Sequence, residues 1–476
     1  MSPDADPRAF LRVLYDAAIE GAAPEPAVRR ALERIELGAH RRTWILALGK
    51  AAEPMTAAAI ALLTERDVVP EGGIVVPPSR VASPHTSLLV FPGEHPIPGP
   101  GSLAAAEAIG AVADRVSAGD LVLVLLSGGA SSLAAAPVDR IEPAELSRLF
   151  ELLLGSGLDI ARMNIVRKRF VRWGAGRLAA ALAPATVRCL AISDVPGDDL
   201  AAIGSGPCVP DPTTTPDVAR ILRAVKLLAL IPESLCTYLS AVEQGEASET
   251  PKADDPAFAD VRCEIVASNI DALARAAERA RSLGIEARIV GATLAGQAAA
   301  RGEAIARALV AAAESGTSGG HAPRRAGDGP PSGPGISGGW LVELHGGETT
   351  VTLGVPAGGR RGSESPGTAA PETGRGGRSQ ELALAAARVL DEAGERADGI
   401  TILAAGTDGR DGPTDAAGAI VDRHSWSAAR AAGRDPARDL AKHDAYAALD
   451  AAGALLRTGP TGTNVMDVVF AVRAAT

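Results

Sequence analysis

Residues 121–133 read LVLVLLSGGASSL. The six apolar residues Leu121 to Leu126 leave no polar face, as in a central strand covered on both sides. The run ends at Ser127, and glycines and serines follow before a helical stretch begins. A strand that turns into a helix through glycines is the repeating unit of a parallel sheet wound by helices. Glycines let the backbone approach an anion, and N–H groups at a helix start supply donors. Ser127, Gly128, Gly129, Ser131 and Ser132 are therefore candidate anion contacts, with a tight structural turn as the alternative.

The same pattern repeats outward from this string. Thr43 to Leu48 is a short apolar strand ended by Gly49-Lys50, with an Ala-rich helix to Leu63. Gly73 to Val76 and Leu88 to Phe91 read as further strands, the second running into GEHPIPGPG at 93–101. Ser102 to Ala118 reads as a helix with Ser102 as its N-cap. Cys189 to Ser193 is another strand, leading into DVPGDD. Before all of these, Pro7 to Arg34 is helical in pattern. Ligands collect at the carboxyl ends of such strands, and Lys50, His95, Ser127 and Asp194 all fall just beyond one.

A polar stretch at 245–256 reads as a linker, so two domains are expected, 7–245 and 257–476. The second holds strands at Arg262–Ala267, Glu286–Val290, Trp340–Leu344, Thr349–Val355, Thr401–Ala404 and Val468–Val472. Its helices are Asp271–Leu283, a segment ending at Glu314, and Ser379–Leu390. Two segments, 315–339 and 357–376, are low-complexity and cannot fill a core. The expected fold is thus α/β, with a larger mostly parallel N-terminal domain and a smaller α/β C-terminal one.

Composition narrows the function. Apolar residues make up 46% of the 476 and aromatics 3%, which suits helices packed on sheets. A net charge of −10 argues against a nucleic-acid partner. No apolar run is long enough for a membrane helix, and the N-terminus lacks a signal pattern, so a cytoplasmic protein is expected. The four cysteines form no C-x-x-C pair, and the seven histidines show no zinc spacing. No P-loop occurs. A G-x-G-x-x-G at 333–338 lies in low-complexity sequence before a strand, whereas a dinucleotide loop follows one.

Several loops could carry chemistry. ISDVPGDD (192–199) supplies Asp194, Asp198 and Asp199, and TDGRDGPTD (407–415) supplies Asp408, Asp411 and Asp415. Clustered acids are tolerated around a cation. Arg378 in GGRSQE stands at a helix start, where it can clamp a carboxylate or phosphate. TGPTGTN (458–464), with Thr461 and Asn464, is a further Gly/Thr loop. Lys50 is a flexible point charge, and His95 is framed by prolines. Each also has a structural reading as a cap or turn.

Together the strings ALGKAA, GEHPIPGPGS, LVLVLLSGGASSL, MNIVRKR, ISDVPGDDLAAIGSGPCVPDPTT, GGETTVTL, GGRSQELAL, AAGTDGRDGPTDAAGA and TGPTGTNVMD resemble the glycerate 2-kinase family, whose C-terminal part is the MOFRL domain (here 336–472). The resemblance implies a Rossmann-like N-terminal domain and ATP-dependent phosphorylation of the 2-hydroxyl of D-glycerate with Mg²⁺, in a cleft between domains. It implies importance for Lys50 and Arg378 in catalysis. On this basis Asp194 is the expected proton acceptor, and Ser127 to Ser132, Lys168, Thr461 and Asn464 are expected nucleotide contacts. His95 and Arg378 are expected to hold glycerate, and Asp194, Asp198, Asp408 and Asp411 the metal. Where the family usually has H-L-S-x-I-K-G-G after VRK, this chain has RFVRWGAG (169–176), so Arg169 replaces a histidine and Gly174 a lysine. Lys168, Arg172 or Arg177 are the expected substitutes. Gln297 in LAGQA stands where glutamate is common. A hydroxypyruvate reductase and a non-catalytic nucleotide-binding homologue are the alternatives, and a homo-oligomer is left open.

Overall fold

The computed structural model describes residues 6–314, 339–352 and 374–474. The G-x-G-x-x-G at 333–338 and nearly all of both low-complexity segments lie outside them. The chain forms two compact units. One is Ala23–Ser268 with Gly462–Asn464, and the other is 1–22, Asn269–Thr461 and 465–476.

The first unit is built on six parallel strands: β1 (Thr43–Leu48), β2 (Gly72–Val76), β3 (Leu88–Val90), β4 (Leu121–Leu126), β5 (Thr186–Ile192) and β6 (Val261–Ala267), in the order 3-2-1-4-5-6. Trp44, Leu46, Leu48, Val122, Val124 and Leu126 pack into one apolar cluster. The alternate residues Ile45, Ala47, Leu123 and Leu125 are equally buried, which explains why β4 has no polar position. The order reverses between β1 and β4, so the connections from these two strands leave in opposite directions. That divergence opens a crevice at their carboxyl ends.

Several expectations are corrected here. The strand expected at Arg262–Ala267 in the second domain is β6 of this sheet and pairs in parallel with β5, Cys189 opposite Cys263. The division therefore falls after Ser268, not at 245–257. The helix expected over 7–34 is two, Pro7–Gly21 and Pro24–Leu32, because Pro24 can open a helix but not continue one. The first belongs to the second unit. Ser102 is not the N-cap of its helix, Pro100–Ala113; Gly99 is, and the Ser102 hydroxyl reaches back to the Glu94 and Gly99 N–H groups.

A separate apolar cluster in this unit joins helices Pro143–Leu154, Ile160–Phe170, Thr215–Ala224 and Glu233–Glu243. The second unit carries β7 (Glu286–Leu294), β8 (Trp340–Gly347), β9 (Thr401–Gly406), β10 (Gly418–Asp422), β11 (Leu455–Leu456) and β12 (Asp467–Ala474), ordered 11-10-9-12-8-7. Only the β7–β8 pair is parallel. Helix Arg378–Ala393 packs on β9 and β10, buried along most of its length. The described part of the strand expected at 349–355 contributes only an isolated bridge from Thr350 to Gln297. Among the described residues, no helix is long and apolar enough to cross a membrane.

At the amino end of β4, the fully buried Asp120 side chain accepts hydrogen bonds from Arg42 (2.7 Å), the Trp44 indole (3.2 Å) and the Ser117 N–H (3.1 Å). Burial opposes its ionisation, but these bonds outweigh it and hold the carboxyl below its usual range. A lowered carboxyl pKa stabilises at neutral pH, and that stabilisation is lost as pH falls through the folded-state value. Asp120→Ala is expected to cost about 2–4 kcal/mol at pH 7 in urea unfolding, with the gap to wild type closing in acid.

Candidate functional site

Backbone hydrogen bonds continue past the ends of β1 and β4. The Ser127 N–H donates to the Leu48 carbonyl (2.9 Å), and the Lys50 N–H donates to the Gly128 carbonyl (2.9 Å). The Ser127 hydroxyl accepts from the Ala51 N–H at 2.9 Å. Ser127 is wholly buried, so it fastens the Lys50 turn to the glycine turn instead of facing a ligand. Ser132 is also buried, its hydroxyl on the Gly129 carbonyl at 3.2 Å. The partly exposed groups of this string are Gly129 and Ser131, and Ser131 meets the Ser205 hydroxyl at 2.7 Å.

The two glycines are there for space and conformation. A Cβ on Gly128 would lie 1.8 Å from Asp194 Oδ2, so the carboxylate rests directly against backbone. Gly129 has φ +84°, and a Cβ there would come 3.2 Å from His95 Cδ2. Asp194 follows β5, and its Oδ2 accepts from the Asn464 amide at 3.3 Å. Lys50, Gly128, Gly129, His95, Asp194 and Asn464 are thus gathered at one edge of the parallel sheet. Asp198 shares the Asp194 loop in a left-handed conformation, while Asp199 accepts from the Ala201 N–H.

Other expected residues are placed differently. Lys168 is buried against Asp211 at 2.8 Å, which ties its ammonium into the interior. Arg177 donates to the carbonyls of Lys168, Arg169 and Val171, closing a helix end. Arg172 stacks on Trp173. Gly174, the position of the family lysine, lines a small pocket with Leu48, Ser131, Trp173 and Gly204.

In the second unit, Arg378 opens its helix and is held by Asp467, with Nε on Oδ2 at 2.5 Å and Nη2 on Oδ1 at 3.0 Å, while Nη1 pairs with Glu348. Burial opposes its charge, but Asp467 and Glu348 more than compensate and raise its pKa. Neither acid was foreseen, although both sit inside strings already singled out, GGETTVTL and TGPTGTNVMD. Thr461 donates to the Thr407 carbonyl at 2.5 Å, and the Asp408 carboxylate accepts from the Arg410 N–H. The Tyr15 hydroxyl donates to the Gly406 carbonyl at 2.8 Å, steadying the end of β9.

Asp411, one of the expected metal residues, has a structural task. Its oxygens accept from the Ser379 N–H (3.1 Å) and the Gln380 N–H (2.7 Å), so it caps the Arg378 helix. Among the described residues, no three His, Cys, Asp or Glu side chains gather to hold a metal ion.

A model described as a domain of unknown function (DUF4147) matches residues 10–240, and the MOFRL family model matches 341–467. A glycerate 2-kinase of Pyrococcus horikoshii is 36% identical over 431 residues, spanning 90% of this chain and 87% of that protein. The chain belongs to the glycerate 2-kinase family. Within that family, the crystal structure of the Thermotoga maritima glycerate kinase superposes with a TM-score of 0.76 at 31% identity, covering 98% of this chain and 99% of that one. A putative hydroxypyruvate reductase of Agrobacterium vitis is 37% identical over 98% of this chain and 94% of that protein.

Burial first, and Asp467 second, push the Asp411 carboxyl up to about 7. A raised carboxyl pKa destabilises the ionised form, so stability falls as pH rises from about 4 to 7, by at most about 4 kcal/mol. Asp411→Asn is expected to flatten this slope in a series of thermal melts between pH 4 and 8. An unchanged slope would contradict the assignment.

Proposed function

We propose that this chain transfers the γ-phosphoryl group of ATP to the 2-hydroxyl of D-glycerate, giving 2-phosphoglycerate and ADP. The observation that carries this reading is the meeting of Lys50, the Gly128-Gly129 turn, His95, Asp194 and Asn464 at the carboxyl edge of β1, β4 and β5. Phosphoryl transfer asks chiefly for positioning and charge neutralisation, and this edge offers both. A cytoplasmic location, where ATP is abundant, suits the reaction.

In this scheme the backbone at Gly129 and Ser131 cradles phosphate oxygens, with Asn464 beside them. The glycerate 2-oxygen attacks the γ-phosphorus, its proton passes to Asp194, and the bond to the β–γ bridging oxygen breaks. Lys50 offsets charge on the transferring group, and His95 orients the acid. Arg378 is assigned to charge stabilisation, held in one rotamer by Asp467 and Glu348. Mg²⁺ in nucleotide sites takes one or two carboxylates and completes its shell from phosphates and water. Asp194, lying against bare backbone with Asp198 in the same loop, fits that role; Asp411, consumed by two N–H groups, does not. When bound, Mg²⁺ would neutralise phosphate charge.

An ATP-coupled assay with each glycerate enantiomer, with the product position read by phosphorus NMR, tests the reading. Turnover should be confined to D-glycerate, with the phosphate on O2. Lys50→Ala and Arg378→Ala should each lower kcat on the order of 10²- to 10³-fold. Wild-type rates in both variants would refute the assignments. Oxidation of NADH by hydroxypyruvate in place of kinase turnover would favour the reductase reading.

A further inference from the structure

Helix Ile160–Phe170 carries three consecutive buried cations, Arg167, Lys168 and Arg169. Two have acids: Lys168 pairs with Asp211, and Arg169 with Glu249 and, at 3.6 Å, Asp211. Arg167 has no such partner among the described residues. It is 7% exposed, and its Nε and Nη2 atoms meet no acceptor among the described residues. Its guanidinium lies 4.7 Å over the Phe150 ring. A ring face compensates part of the cost of burying a cation, but an unpaired buried charge remains strongly unfavourable. Burial lowers the Arg167 pKa to about 10, so it is cationic at neutral pH.

The two unpartnered atoms define what is missing. Nε and Nη2 form one edge of the guanidinium, the edge that grips a planar carboxylate through two parallel hydrogen bonds. Arg378 shows that arrangement with the edge filled, Nε and Nη2 on the two oxygens of Asp467. Arg167 presents the same fork without an acceptor among the described residues.

Its place in the unit links it to the glycine turn. Asn164, three residues earlier and so on the same helix face, donates to the Ala202 carbonyl at 3.4 Å. Ala202 belongs to the loop that begins at Asp194, and Ser205 of that loop meets Ser131 at 2.7 Å. The helix also packs on the Ile203–Ser205 turn.

We propose that the Nε–Nη2 edge of Arg167, with the Asn164 amide beside it, is the subsite for the carboxylate of the hydroxy-acid substrate. The proposal rests on the kinase reading for the substrate's identity, but not for the site's anion chemistry.

The test uses the full-length protein and the variant Arg167→Met, which keeps apolar volume over Phe150. Removing an unpaired buried charge should raise the melting temperature of the ligand-free protein, whereas losing a structural arginine would lower it. The shift in melting temperature caused by D-glycerate should vanish and that caused by ATP should persist. KM for D-glycerate should rise roughly 10- to 100-fold, with a smaller change in kcat and partial rescue by Arg167→Lys. A variant that keeps the wild-type KM overturns the proposal. So does one that loses the ATP response and keeps the glycerate response, since the anion would then be a phosphate. If Arg167→Met does not fold, hydrogen exchange on wild type decides. D-glycerate should slow exchange in 160–170 while glycerol, which lacks the carboxylate, should not; equal exchange with both overturns the subsite. Slowing by glycerate without ATP turnover sinks the kinase reading and supports the subsite.

Discussion

The hydrogen bonds that tie the turn after β1 to the turn after β4 are the constraint on which the candidate site depends. Two parallel strands that leave a sheet in opposite directions would ordinarily let their loops separate. Here the ladder runs on beyond both strands through Leu48, Lys50, Ser127 and Gly128, and the buried Ser127 hydroxyl adds a side-chain clasp. The Gly128 backbone is thereby fixed where Asp194 can lie against it. The position of Asp194 in turn selects glycine at residue 128. Strand register and site composition are consequently one requirement.

Charge is distributed by a related logic. Several buried or half-buried cations of this chain are answered by an acid at close range. Asp211 answers Lys168 and Arg169, Asp467 and Glu348 answer Arg378, and Asp120 answers Arg42. Such pairs hold side chains in one geometry more than they add stability. Arg378 gains a fixed orientation at a helix start, and Asp411 pins that start by capping its first N–H groups.

Much of the fold could be read from the chain because β1, β4 and β5 are apolar runs bounded by glycine or acid-rich turns. Strands with weaker runs were missed. Gly418–Asp422 was passed over because it is short and begins with a glycine, and Leu455–Leu456 because two residues carry no period. Arg262–Ala267 reads as a strand, but its sheet does not show in the sequence, since pairing partners far apart leave no local mark. The same limit applies to the site. The strand-end positions of Lys50, Ser127 and Asp194 follow from patterning, whereas the burial of Lys168 against Asp211 depends on tertiary packing. The adjacent residues of VRK looked equivalent in sequence; only coordinates show that Lys168 has its acid and Arg167 does not.

The interleaving of the two units has a consequence for biosynthesis. Residues 7–21 are made well before Asn269–Ser282, β9 and β12, the segments they pack with. Conversely, Asn464, which reaches Asp194, is made long after the rest of its unit. Helix Pro7–Gly21 therefore waits as an unsatisfied amphipathic segment until those later segments are made, and the Asp194 loop stays without its amide until residue 464 follows. A nascent chain of this kind is kept from acting early by the order of its own connections.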